Sequence, residues 1–405
     1  MTNSRHLPIN RRTLLGATAA TLAMPAVLRA QPKGITDTEI KLGQTQPYSG
    51  PASAYGAVGR AELAYFQMVN DAGGVNGRKI NLISLDDGYA PAKTVEMTRR
   101  LVEQDEVSAI FASLGTAPNA AIVKYLHAKG VPNLFISSGA SRWGNHVELP
   151  LCMAGPPSYR VEGAIYAKYI LEHKPNAKIA ILWQNDDLGK DYITGLKDGL
   201  GARFDKMVVS SVSYEVTDPT IDSQAVTMKG SGADVLLSAV TPKFAAQIIR
   251  KIHDLDWHPM HFLANVAISV SAVLKPAGVE KAVGLLSAAY FKDPNDPTWK
   301  ADAGMNIYRA FMAKYLPGSE AGDAAYLTGF GWAAMMHQVL KQCGNDLSRE
   351  NMMRQANAIH DLEVPVWLPG IKINTSPTQH NPMTQLQLQR WDGASWVLFG
   401  SLIKA

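Results

Sequence analysis

Two cysteines, Cys152 and Cys343, are all that 405 residues contain. They are too few for an all-thiolate zinc site and allow one disulfide at most. Cys152 sits in a strand-like run and Cys343 ends an apolar helical stretch. An oxidised pair and two buried free thiols therefore both stay open. Charge is sparse too, at 18% of residues, against about 25% in ordinary globular chains. Long apolar runs are missing. The mild stretch from Leu14 to Leu28 is too short and too rich in Ala and Thr to cross a bilayer, which takes about 20 apolar residues. Nowhere does the chain carry a GxxxxGK[ST] phosphate loop or a GxSxG nucleophile elbow, which removes two large enzyme classes.

What precedes and follows that mild stretch is informative. Arg11-Arg12 stands before it, and Met24-Pro25-Ala26-Val27-Leu28-Arg29-Ala30 leads to Gln31. Paired arginines, a weakly apolar segment and a small residue at the end describe an export signal of twin-arginine type. Residues 1–30 are accordingly left out of the fold, and the working protein is expected outside the cytoplasm. Four of the 39 basic residues (Arg5, Arg11, Arg12, Arg29) lie in this leader and none of the 35 acidic ones. The remainder is balanced at 35 of each sign, which leaves no electrostatic footprint for nucleic acid and no basic face for a membrane surface.

After Gln31 the pattern alternates. Strands are expected at Ile40–Gln44, Lys79–Leu85, Val107–Ala112 and Val131–Ile136, with helices at Tyr55–Asn70, Pro91–Gln104 and Ala117–Lys129 between them. Such a βαβ series makes a parallel sheet covered on both faces. A second series runs through helix Tyr159–Glu172, strand Lys178–Trp183, helix Leu188–Leu200, strand Met207–Tyr214, helix Ile221–Lys229, strand Val235–Val240 and helix Phe244–Leu255. Short strands follow at His261–Ala264 and Leu285–Tyr290, then helices at Trp299–Tyr315, Ala324–Cys343 and Arg349–Ile359. Gln385–Trp391 and Ser395–Phe399 alternate around Asp392-Gly393, a hairpin signal. The fold class is α/β, with two lobes of similar size and a mixed tail.

In an open parallel sheet a ligand lies beyond the carboxyl ends of the strands. The loops there are Gln46–Gly56, Ser113–Pro118 and Ser137–Trp143, rich in short hydroxyls and glycine, with Tyr48, Tyr55 and Trp143 as apolar walls. Ala117-Pro118 opens a helix whose N–H groups and dipole favour an anion such as a carboxylate. Other constellations suit bland roles better. Gly329-Phe330-Gly331 has no strand before it, so a dinucleotide site is not expected. His253, His258 and His261 cluster near Trp257, but Pro259 breaks the helix that would align them, and a surface or packing role is expected. Asp86-Asp87 and Asp186-Asp187 follow strands and are expected to hydrogen-bond at the rim.

Ile40-Lys41-Leu42-Gly43, Ser49-Gly50-Pro51, Tyr55-Gly56, Asn70-Asp71-Ala72-Gly73-Gly74-Val75-Asn76-Gly77, Asp86-Asp87, Gly130-Val131-Pro132, Ile179-Ala180-Ile181 and Asp186-Asp187-Leu188-Gly189 together carry a resemblance. Over residues 35–400 the chain resembles the substrate-binding proteins of branched-chain amino-acid (leucine/isoleucine/valine-binding) ABC transporters, type I periplasmic binding proteins. The resemblance implies two Rossmann-like lobes joined by a three-stranded hinge, with the ligand in the cleft between them. Lobe 1 would hold 31–153 plus about 287–370, and lobe 2 154–286 plus about 371–405. It implies a periplasmic, non-enzymatic monomer without cofactor or metal, serving an ABC permease and ATPase in the inner membrane. A carboxylate site resembles Thr116 with Gly139, Ala140 and Ser141 here, flanked by Leu114, Gly115 and Trp143. Tyr55 corresponds to the ring stacked at the cleft mouth, and Tyr326 to another cleft aromatic. In the second lobe the family's tyrosine appears as Leu188, an aromatic position as Thr241, and the acid that holds the substrate ammonium falls near Asn265. The expected ligand is a monocarboxylate with an apolar or aromatic body, because a buried ammonium without its acid is unpaired. Amino-acid binding by the same fold, a ligand sensor and an exported hydrolase are the alternatives.

Overall fold

The computed structural model describes Met1 and residues 32–404, so the leader expected at residues 1–30 lies, apart from Met1, outside the described residues. Strand β1 (Glu39–Gln46), β2 (Lys79–Asp86), β3 (Ala109–Phe111), β4 (Asn133–Ile136) and β5 (Cys152–Ala154) form a parallel sheet in the order β2-β1-β3-β4-β5. β1 and β2 pair in register from Glu39 opposite Lys79 to Gln46 opposite Asp86. Parallel neighbours need crossovers, and α1 (Gly56–Asp71), α2 (Pro91–Glu103) and α3 (Thr116–Ala128) supply them.

The second sheet runs β12-β11-β10-β9-β8-β6-β7. Its strands are β6 (Ile179–Gln184), β7 (Val208–Tyr214), β8 (Val235–Ala239), β9 (Met260–Leu263), β10 (Leu286–Ala289), β11 (Gln385–Trp391) and β12 (Trp396–Lys404), the last two antiparallel. Helices α4 (Tyr159–His173), α5 (Asp187–Leu200), the short α6 (Phe204–Met207), α7 (Asp222–Gly230), α8 (Pro242–Asp254) and the single turn α9 (Lys275–Ala277) belong to this lobe. A strand covered on both faces reads as an unbroken apolar run, and β8 is buried at every residue. Its one polar residue, Ser238, meets the ring of buried His261 on β9 at 2.8 Å.

Helices α10 (Ala303–Tyr315), α11 (Ala324–Cys343) and α12 (Arg349–Ala356) follow β10, yet α10 and α11 pack on α1 of the first lobe. The chain therefore passes between the sheets three times: after β5, after β10 and before β11. Gly329 permits the α1–α11 approach, since an added Cβ would lie 2.3 Å from the Val58 carbonyl oxygen. Gly331 stands as close to the Trp367 ring. The Gly-Phe-Gly run thus serves helix packing inside α11.

Most expected elements are present within two residues of their ends, and three differ for clear reasons. The helix expected from Trp299 begins at Ala303, because Asp302 caps it by accepting from Met305 N at 2.8 Å. The helix expected to reach Ile359 stops at Ala356, where Thr375 Oγ1 donates to the Ala356 carbonyl and accepts from Ile359 N. β12 extends to Lys404 because its end pairs with the start of β11 past a bulge. Cys152 and Cys343 are both free and buried, and burial pushes each thiol up to about 12. Among the described residues no helix is long and apolar enough to cross a membrane.

Candidate functional site

Strand order reverses between β1 and β3 in the first sheet and between β6 and β8 in the second, which places a crevice at the carboxyl ends of each. The loops leaving those ends face one another across a cleft of about 790 Å³, open mouth included. Ala54 and Tyr55 follow β1, Leu114 and Gly115 follow β3, and Ser137 follows β4. From the other lobe come Leu188 after β6, Thr241 and Pro242 after β8, Asn265 and Ser269 after β9, and Tyr290 and Phe291 after β10. Tyr89, Tyr159, Thr328 and Trp332 complete the wall. None of the lining side chains is Asp, Glu, Lys, Arg or His. The walls are closed over: Tyr89, Leu114, Tyr159, Leu188, Thr241 and Asn265 are each 6% exposed or less.

Helix N-termini point into this space. α3 begins at Thr116, directly after the lining pair Leu114-Gly115, and its first-turn N–H groups have no helical acceptor. Gly115 makes the approach possible with φ of +108°; a Cβ there would press on the Tyr89 ring at 2.6 Å and on Pro118. α8 and α11 also start at cleft residues, Pro242 and Ala324. α3 and α8 have no side-chain cap and bring partial positive charge to the cleft, whereas the Asp323 carboxylate caps α11. Burial raises the Tyr159 hydroxyl to about 12 and holds those of Tyr55, Tyr89 and Tyr290 well above their usual value, so all four stay protonated at neutral pH.

The aspartates beside the cleft build its walls. Asp87 accepts from Tyr89 N and Thr94 Oγ1, which fixes Tyr89 in its positive-φ turn. Asp86 takes bonds from Ser49 N, Ser49 Oγ, Gly88 N and Lys93; desolvation opposes them, but they hold its carboxyl well below the usual range. Asp186 caps α5 at Leu188 N and accepts from Gln184, and burial lifts it to about 6. Tyr214, fully buried, bonds Gln184 Oε1, Thr241 Oγ1 and Thr241 N, and so positions Thr241 at the cleft.

Of the residues singled out from the sequence, Tyr55, Leu114, Gly115, Leu188, Thr241 and Asn265 border the cleft. The others lie around it. The Thr116 hydroxyl is spent on Ser138 Oγ at 2.7 Å, and the same oxygen accepts from Trp143 Nε1 and Ala140 N, so Thr116, Ala140 and Trp143 form a buried layer behind the wall. Gly139 lies under the Tyr159 ring, 2.7 Å from where its Cβ would be. Ser141 faces the opposite lobe, where its N–H and hydroxyl bond the Asp191 carboxylate at 2.5 and 2.9 Å. Tyr326 is in the first turn of α11 but does not border the cleft, unlike its neighbours Ala324, Ala325 and Thr328. Tyr89, Tyr159, Tyr290, Phe291 and Trp332 were not legible as a site. All five lie outside the three distinctive loops, and only the Asp86-Asp87 turn points toward Tyr89.

Two rims join the lobes. Beside Ser141–Asp191 runs the Arg142–Asp187 ion pair at 3.0 Å, half-exposed. On the other side Asp323, the cap of α11, accepts from Ser269 Oγ and Ser271 Oγ in the second lobe. The histidines near Trp257 do not converge: His258 pairs with Asp256, and burial lowers His261 to about 3. Among the described residues no three His, Cys, Asp or Glu side chains are placed to hold a metal.

A family model described as periplasmic binding protein matches residues 39–395. An amino acid binding protein of Pseudomonas aeruginosa is 25% identical over 282 residues, 67% of this chain and 72% of that one. A branched-chain amino acid ABC transporter protein from Thermus thermophilus, solved with bound valine, superposes with a TM-score of 0.81 at 16% identity, covering 92% of this chain and 98% of that one. A solute binding protein of an ABC transporter from R. palustris, solved in complex with benzoate, gives 0.75 at 18% identity, with 91% and 98% covered.

Proposed function

Because the chain belongs to the periplasmic binding protein family, a family of solute-binding transport proteins, we propose that it captures a small monocarboxylate with an apolar or aromatic body. One observation carries this reading: the cleft is walled mainly by aromatic and aliphatic side chains without a charged one, while the N-termini of α3 and α8, which have no side-chain cap, begin at it. A free amino acid brings an ammonium as well as a carboxylate, and burying that cation without a partner costs several kcal/mol, on the order of the penalties for unpaired buried ions. The carboxylate end is assigned to the first turn of α3, with the Thr116 and Ala117 N–H groups as donors and Ser137 beside them. The apolar body then lies among Tyr55, Tyr89, Tyr159, Tyr290 and Trp332. The benzoate complex of the R. palustris protein is an instance of this ligand chemistry on the same fold.

Closure of the lobes over the ligand is the signal such a protein gives, since contacts made only in the closed form shift the population toward it. The partner reading that form would be an ABC permease with its ATPase, and the place of action the periplasm, as the leader of residues 1–30 suggests. A thermal-shift screen of residues 31–405, unfolded and refolded to strip bound ligand, tests the reading. Ligand at 100 times its dissociation constant stabilises by about 2.7 kcal/mol. Shifts with aromatic or aliphatic acids and none with leucine, isoleucine or valine are expected. Shifts with those amino acids alone overturn it.

A further inference from the structure

We propose that Asn265, backed by Glu162 and Tyr192, is a second polar subsite of the cleft that takes an uncharged hydroxyl on the body of the ligand, opposite its carboxylate. This rests on the monocarboxylate reading and adds to it the second functional group.

The second-lobe floor of the cleft contains more hydrogen-bonding capacity than the protein uses. Asn265 follows β9, borders the cleft and is only 5% exposed, yet its Nδ2 has no hydrogen-bond partner. Its backbone N–H is engaged, donating to Glu162 Oε1 at 2.9 Å, so the residue is held in place while its amide is left free. Behind it, Glu162 is fully buried on α4, and Tyr166 donates to its Oε1. Tyr192 stands beside Glu162, and its hydroxyl is directed at the same carboxyl. Tyr166 continues the network to the Leu263 carbonyl and Ser287. An enclosed amide nitrogen without a partner at the cleft is unusual, because such groups are nearly always satisfied. An apolar ligand alone would leave it unpaired.

A hydroxyl fits the vacancy in capacity because it donates and accepts, as a carboxamide does, whichever way the Asn265 amide is turned. A cation does not fit: no carboxylate lines the cleft, and Glu162, fully buried behind Asn265, favours its neutral form. The α3 N-terminus is on the first lobe and Asn265 on the second. A hydroxy acid would therefore be held by both lobes.

Isothermal titration of the refolded protein with benzoate, 3-hydroxybenzoate, 4-hydroxybenzoate and 4-methylbenzoate tests this, the methyl group serving as a size control. The better hydroxybenzoate is expected to bind about tenfold tighter than the methyl analogue. In Asn265→Leu that ratio is expected to fall to within about twofold, whatever the absolute affinities. Asn265→Ser, a smaller change, repeats the comparison if the leucine variant does not fold. Equal binding of hydroxyl and methyl analogues in the unaltered protein, or a preference that survives both substitutions, overturns the subsite and assigns the cluster to water. If no acid binds at all, the monocarboxylate reading fails and this inference falls with it.

Discussion

Removing the Asp191 carboxylate should weaken ligand binding although Asp191 does not line the cleft. Ser141 lies after β4 and Asp191 on α5, so the 2.5 Å and 2.9 Å bonds between them exist only when the lobes meet. Both are charge-assisted and part-buried, and hydrogen bonds to a charged group contribute about 1.5–3 kcal/mol each. Part of that returns when the separated groups are hydrated, leaving a net loss of about 2 kcal/mol from the closed form in Asp191→Ala. Because apparent affinity scales with the competent fraction, a protein that rests open would bind about 30-fold more weakly. The neighbouring Arg142–Asp187 pair is half-exposed and should shift affinity by far less. Titration calorimetry of refolded variants against the best acid of the screen gives the comparison, with the melting temperature of the ligand-free protein as control. A dissociation constant for Asp191→Ala within twofold of the unaltered protein, at unchanged melting temperature, refutes the assignment of these bonds to closure.

Three further outcomes are expected. Burial lifts Glu162 from its ordinary 4.5 to about 7, against the pull of Tyr166, Tyr192 and the Asn265 N–H. The folded protein then keeps a proton that the unfolded chain releases above about 4.5, so stability falls as pH rises through this window, by about 3 kcal/mol in all. Denaturant unfolding from pH 4.5 to 8 should show that slope flattened in Glu162→Gln, and parallel curves would contradict it. Gly115→Ala forces a side chain into positive φ against Tyr89 and Pro118, costing about 1–3 kcal/mol of stability; urea midpoints check it, together with a loss of affinity from the displaced α3 N-terminus. Tyr55→Ala should cost aromatic acids about 0.5–1.5 kcal/mol more than short aliphatic acids, since ring pairing is lost; competition titrations of benzoate against butyrate read the difference.

Strand and helix periods are local, and the chain displayed them openly. Runs such as Val235–Ala239, with apolar side chains on both faces, had no other reading than a covered strand. Loop chemistry is local as well, and it puts Tyr55, Leu114 and Gly115 beyond strand ends, where they border the cleft. Ser141 and Thr116 show where this reasoning ends. Each is a hydroxyl in a glycine-rich loop beyond a strand, yet Ser141 faces Asp191, fifty residues away, and Thr116 faces Ser138.

The sequence by itself determined the alternating elements, the two parallel series and which strand ends would carry the loops, because these follow from side-chain period and turn chemistry within a dozen residues. Only the tertiary structure decided which groups face the ligand space. Tyr89, Tyr159, Tyr290 and Trp332 come from four separate segments and converge only when two sheets present their carboxyl ends to each other. Asn265 Nδ2 is left unpartnered at the cleft, while the Thr116 and Thr241 hydroxyls are bonded to Ser138 and Tyr214 within their own lobes. A hydrogen bond is made by whichever group stands within about 3 Å, and that distance is set by packing across hundreds of residues.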